Sequence, residues 1–144
     1  MKVTGSRPKI VVSADGRGVV GHAGARLLAD LADATGLTSG FSDALASLRV
    51  RDSGHDPGRV AVDVAVTLTD GGQTISDLAV LRNEPALFGP VASDPTAWRV
   101  LSNVDDAGLV RLRDARARAR ELAWAQAARP APGCRTPRQL ATAI

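Results

Sequence analysis

Three aspartates, Asp63, Asp70 and Asp77, stand seven residues apart, and clustered carboxylates are what a two-metal phosphoryl-transfer centre requires. Asp70 adjoins Gly71 and Gly72, a helix-stopping pair, so the three need not converge; surface and capping roles are expected instead. His55 and Asp56 could form a catalytic or metal-binding pair. No nucleophile pattern or third ligand accompanies them, so the expectation is a loop with a capping acid. The stretch GRGVVG, residues 16–21, matches the glycine pattern that brings a pyrophosphate to a helix N-terminus through Gly16, Gly18 and Gly21. That fold needs a second strand ending in an acid about twenty residues on, and the helical stretch FSDALASLRV stands there instead. A hairpin turn accounts for the same glycines. Cys134 is the single cysteine and His22 and His55 are far apart, so neither a disulfide framework nor a zinc site is expected. No catalytic and no metal residue is assigned, and no cofactor.

Cations are more informative. Residues 111–138 hold eight arginines against Asp114 and Glu121, a net +6 in a chain of +3, which leaves −3 for the rest. Sixteen of the eighteen Lys and Arg residues are arginine, the side chain that contacts phosphate and guanine bidentately, although a GC-rich coding sequence produces the same bias. A basic C-terminal quarter on a mildly acidic body suggests a polyanion partner. Arg113, Arg116 and Arg120 fall together on one helical face, with Arg111 and Arg118 on another. With only Phe41, Phe88, Trp98 and Trp124 as aromatics, a base-stacking platform is unlike this chain.

The elements that must position these groups are mostly helical. The chain of 144 residues suffices for one modest domain with a real core. Residues 1–21 suggest a β-hairpin, KIVV and SADGRGVV around a Gly-containing turn. HAGARLLADLADATG predicts a helix with Leu27, Leu28, Leu31 and Ala32 on one face and Gly36 beyond its end. TSGFSDALASLRV predicts a second, capped by Ser39 or Ser42, and RDSGHDPGR reads as a loop. In RVAVDVAVTLTDGG the alternation of Val60, Val62, Val64 and Val66 allows a strand. Arg59, Asp63, Thr67 and Asp70, against Ala61, Val64, Ala65 and Leu68, favour an amphipathic helix with the polar set outward. TISDLAVLRNEP starts a helix at Thr74 or Ser76, and ALFGPVA is a connector. SDPTAWRV opens a helix of about two turns, capped by Ser93 or Asp94, with Pro95 in its first turn and Trp98 as core anchor. The longest helix runs from Asp105 to about Ala128, with Leu112, Ala115, Ala119 and Leu122 as its apolar stripe. The expected organisation is a lead-in hairpin (1–21), a helical domain (22–128) and a disordered tail (129–144). Two helices bearing Arg82 and Arg99 are too far apart, at roughly twelve residues, for a helix-turn-helix. No apolar run spans a membrane and the start lacks a signal peptide's apolar core, so the expected compartment is the cytoplasm.

Residues 55–101, with the landmarks HDPGRV, DGG, ISDLAVLR and PALFGPVASDPTAWR, resemble the N-terminal region of insertion-sequence transposases of the DDE type, transposase DDE domain group 1. The upstream VVSADGRGVVGHAGARLLADLADATGL fits the same region, so the resemblance reaches to about Ala128. It implies a mobile-element enzyme that binds its terminal repeats, with an RNase-H-like catalytic part holding Mg²⁺ on two Asp and one Glu. In such proteins the first catalytic aspartate follows the long Arg/Ala-rich helix on a strand of the form apolar-Asp-x-Asp-x-Thr. Here RPAPGCRTPRQLATAI stands in that place, as a frameshift or truncation would leave it. The expectation is therefore a transposase N-terminal fragment without the catalytic triad, with Mg²⁺ needed only in a full-length relative. It would bind DNA through Arg113, Arg116 and Arg120, and less strongly through Arg99 and Arg82. The alternatives are a small helical protein that self-associates through the Ala/Leu stripe, and a nucleotide-binding domain built on the GRGVVG turn.

Overall fold

A computed structural model describes residues 7–11, 21–49 and 54–128. In chain order the helices are α1 (Ala23–Ala34), α2 (Leu37–Ala44), α3 (Pro57–Thr69), α4 (Ala79–Arg82), α5 (Pro85–Phe88), α6 (Asp94–Ser102) and α7 (Asp106–Ala127), with 3-10 turns at Ala46–Leu48 and Ile75–Leu78. No strand occurs among the described residues. The mainly helical expectation holds, whereas the β-hairpin expected over residues 1–21 is not seen among the described residues, most of that stretch lying outside them. Residues 7–11 run as irregular chain, and residues 12–20, with most of GRGVVG, lie outside the described set. What holds the start of the chain is side-chain chemistry: Arg7 reaches into the helices, and the Pro8 carbonyl accepts from Arg26 Nη2 at 2.9 Å. The backbone of residues 7–11 is not engaged in a ladder with any described residue.

Helix α3 is the central element and touches α1, α2, α4 and α6. Asp56 caps it, its side chain accepting from Arg59 N at 2.9 Å, and Pro57 occupies the first turn, where its missing N–H costs nothing. The expected loop thus ends one residue before Pro57, and Asp56 is the capping acid foreseen. The helix expectation for residues 59–70 is met, but its orientation is the reverse of the pattern. Arg59, Asp63 and Thr67, the supposed solvent stripe, are buried, while Ala65 and Leu68 are exposed. Packing decides: Val60, Val62 and Val66 flank that stripe and join Leu78, Leu81 and Phe88 in the core.

Helix α1 shows the same inversion on a smaller scale. Its buried residues are Ala25, Arg26, Ala29 and Ala32, whereas Leu27 and Leu31 are exposed. Alanines at spacings of four and three let two backbones approach, which leucines would not allow. Gly36 at φ 72° closes α1, as expected, and leads straight into α2. Neither Ser39 nor Ser42 caps α2; their hydroxyls donate instead to the carbonyls of Gly36 and Thr38. Thr74 and Asp77 form a reciprocal capping box at Ile75–Leu78, and Asp105 caps α7 by accepting from Gly108 N at 2.7 Å. Part of the expected connector ALFGPVA is helical, as α5. In α6 the buried residue is Ala97, and Trp98 is 65% exposed. The tryptophan is not the anchor expected, because one helical step of 100° turns it away from the face that Ala97 uses.

Helices α2 and α3 cross closely at Gly58, where a Cβ would stand 2.1 Å from Ser42 N and 2.3 Å from the Phe41 carbonyl carbon. Both are backbone atoms and cannot yield by rotating. Gly58→Ala should therefore destabilise the chain by about 1–3 kcal/mol or more, as overpacking does. A urea titration showing an unchanged midpoint would mean that the crossing is looser than described.

Candidate nucleic-acid interface

The arginines divide into two populations. The first is buried and structural. Arg7 and Asp63 have side chains 1% and 2% exposed, and Arg7 Nη2 donates to Asp63 Oδ1 at 3.1 Å. Arg59 Nε donates to the same oxygen at 3.3 Å, and its Nη2 donates to the Phe88 carbonyl at 2.6 Å. Arg7 Nε also stands 3.3 Å from Asp33 Oδ2 as an ion pair outside hydrogen-bonding geometry. Arg26 donates to Asp30 at 2.8 Å and to the carbonyls of Leu87 and Pro8. Burial pushes the Asp63 carboxyl upward, against the pull of Arg59 and Arg7. The two guanidinium groups make the position tolerable for a charge that burial alone would not accept.

The evenly spaced aspartates are thus each engaged separately. Asp63 lies between arginines and is not on the surface as expected. Asp70 pairs with His22 Nδ1 at 2.5 Å, beside the α1 N-terminus, where His22 adopts φ 57°. Asp77 serves as a cap, as expected: its Oδ2 accepts from Gln73 N, Thr74 N and Thr74 Oγ1, and the two backbone donors foremost hold its carboxyl below the usual range. No group of three His, Cys, Asp or Glu that could hold a metal occurs among the described residues.

A second population faces solvent. Arg99, Arg113, Arg116, Arg118 and Arg120 are exposed, and none forms an ion pair among the described residues. Four of them lie on α7. That helix rests chiefly on α2, through Ala115, which would stand 3.1 Å from a Cβ placed on Gly40. Arg111 secures the contact by donating through Nε to the Ala44 carbonyl at 2.8 Å, filling an acceptor that the end of α2 leaves open. A helix of 22 residues is about 33 Å long and α2, with eight, about 12 Å. Helix α7 therefore outruns α2, and Ala119 is buried as well. Arg116 and Arg120 border an apolar groove of about 290 Å³ between α7, α1 and α3, and Arg120 lies 5.4 Å over the Trp124 ring. Of the stripe expected on α7, Ala115 and Ala119 are buried and Leu122 is exposed.

Arg82 and Arg99 differ from each other. Arg82 Nη1 donates to the Ala92 carbonyl at 3.0 Å and to Asp94 at 2.9 Å, tying α4 to the start of α6. Arg99 is free of such ties. No sequence signal announced Arg7 or Arg26 as core residues. The i, i+4 spacing of Arg59 and Asp63 was a usable sign of a pair, but it did not say that the pair is buried.

A family model described as transposase DDE domain group 1 matches residues 2–132 of the chain. The chain belongs to this transposase family. No curated protein and no solved structure matches it. The resemblance read from HDPGRV to DPTAWR is thereby established, and with it a mobile-element context of DNA transposition. No described helix of the transposase chain is long and apolar enough to cross a membrane.

Two measurements probe the structural population. Asp63→Ala leaves two buried guanidinium groups facing each other without their carboxylate. It should cost about 3–5 kcal/mol in chemical denaturation, the scale for breaking a buried pair; a loss below about 1 kcal/mol, the scale of exposed pairs, would show that the cluster is solvated. Asp56 titrates differently. Burial would raise its carboxyl, but hydrogen bonds from Ser42, Arg59 N and Arg49, with the Arg49 charge, outweigh that and hold it low. A carboxyl lowered by folding stabilises fully above its ordinary pKa, near 3.9, and loses that contribution as pH falls through the folded value. Asp56→Asn should accordingly reduce the loss of stability below about pH 4, measured as unfolding midpoint against pH.

Proposed function

We propose that this transposase chain is a non-catalytic DNA-contacting unit, whose α7 grips the phosphate backbone through Arg113, Arg116 and Arg120. The observation carrying this is the set of exposed arginines on α7, without acidic partners among the described residues, on a helix that outruns α2, its chief support among those residues. Arginine in that state keeps its donors for a ligand, and phosphate oxygens match its planar fork. Arg99 on α6 is a subsidiary contact. Arg82 would take part only by giving up Asp94, so its share is small.

The absence of strand-transfer chemistry is part of the same proposal. It is supported by the separate engagement of Asp63, Asp70 and Asp77, which leaves them occupied by arginines, a histidine and a capping box. Mg²⁺ chemistry would belong to a catalytic part with its own clustered carboxylates. Self-association through the α7 Ala/Leu stripe is disfavoured, since Ala115 and Ala119 are already buried within the chain.

Fluorescence anisotropy with a labelled duplex tests the proposal. Binding should weaken steeply with salt, because each neutralised phosphate releases a counterion. Replacing Arg113, Arg116 and Arg120 together by Gln should lower the slope of log affinity against log salt by about 3, one for each lost contact. Salt-insensitive binding, or an unchanged slope in the triple variant, would overturn the assignment, as would Mg²⁺-dependent nicking by the purified chain.

A further inference from the structure

A second cavity meets α3 at its first residue, Pro57, and shares no lining residue with the groove beside α7. The 3-10 turn Ala46–Leu48, the approach to α3 and one face of α6 enclose a cleft of about 580 Å³. That size falls within the roughly 300–1,000 Å³ typical of small-molecule sites and is far larger than a phosphate needs. Thr96, Arg99, Val100 and Asn103 line it at spacings of three, one and three, a single helical face. Leu48, Pro57 and Val100 supply an apolar wall, and His55 adds a half-buried imidazole.

The polar groups are unevenly committed. Arg49, also at the cleft, is bound to Asp56, whose carboxyl is held low, so that cation is neutralised. Arg99 has no ion pair among the described residues and is the cation left for a ligand. Asn103 Nδ2 donates to the Arg99 carbonyl at 2.7 Å, which fixes the amide and leaves its oxygen as an acceptor. His55 makes no hydrogen bond to any described residue, so its ring offers one donor and one acceptor. One free guanidinium, an apolar wall, the fixed Asn103 amide and the uncommitted His55 ring match a singly charged phosphodiester attached to a flat heterocycle that itself carries donors and acceptors.

We propose that this cleft binds one unpaired nucleotide of DNA, its phosphate on Arg99, its base against Leu48 and Val100, and the base edge on His55 and Asn103. The site deepens the DNA-binding assignment by giving the protein a place for a frayed or extruded base, separate from the α7 backbone contact. Such a nucleotide costs least to supply at a strand end or mismatch.

Calorimetric titration of the full chain with the deoxynucleoside 5′-monophosphates, and in parallel with inorganic phosphate, tests this. The nucleotides should bind at millimolar concentration or better, and phosphate alone more weakly by about tenfold or more. Arg99→Gln and Asn103→Ala, both at exposed positions, should each weaken nucleotide binding severalfold with unchanged circular dichroism. The triple variant at Arg113, Arg116 and Arg120 should bind mononucleotides normally, so a failed duplex experiment and a failed cleft are told apart. Equal affinity for phosphate and nucleotides, no heat with any nucleotide, or binding indifferent to Arg99→Gln would overturn the proposal.

Discussion

The fold depends on one buried carboxylate. Asp63 sits near the middle of α3 and receives Arg59 from its own helix and Arg7 from the start of the chain. Arg59 in turn donates to Phe88 at the end of α5, and Arg26 of α1 donates to Leu87 beside it. Charge-assisted hydrogen bonds thus link the N-terminal segment, α1, α3 and α5 around a core made mostly of alanine and valine, with Leu78, Leu81 and Phe88 as its larger members. In a chain whose buried residues are largely alanine and valine, large side chains contribute little shape to specify the packing. The buried ion pairs contribute directional constraints where the apolar contacts are non-directional.

That constraint separates the work of the arginines. Those held by Asp63, Asp30 and the carbonyls near Phe88 cannot reach a ligand without dismantling the core. Arg111 and Arg82 spend donors on carbonyl groups at helix junctions, and so position α7 and α6. Only then are Arg113, Arg116, Arg118 and Arg120 presented to solvent, while Ala115 and Ala119 of the same helix are buried. Under the proposed DNA-contacting role, holding charged DNA and keeping the fold intact would fall to different residues of one type.

The sequence carried the helices well because their ends are marked by local chemistry: Asp56 with Pro57, Thr74 with Asp77, Gly36, and Asp105 each announce a boundary. Which face goes inward was less legible. The stripe Arg59, Asp63, Thr67 reads as solvated until Arg7, 56 residues away from Asp63, is brought to it. Leu27 and Leu31 read as core until the alanines beside them prove to be the close-packing surface, and Trp98 reads as an anchor until Ala97 takes that place. Each of these depends on a partner distant in the chain, which periodicity does not encode. The α7 arginines were visible because exposure on a long, polar helix follows from composition. The cleft on α6 was not, since it is assembled from three separate segments.

Arginine-directed chemical labelling, read by mass spectrometry with and without duplex DNA, tests the division of the arginines most directly. The account predicts that Arg113, Arg116 and Arg120 label readily in the free chain and become protected by DNA, while Arg7, Arg26 and Arg59 stay unreactive in both states. Ready labelling of Arg7 and Arg59 in the folded chain, or DNA protection that bypasses α7, would contradict it.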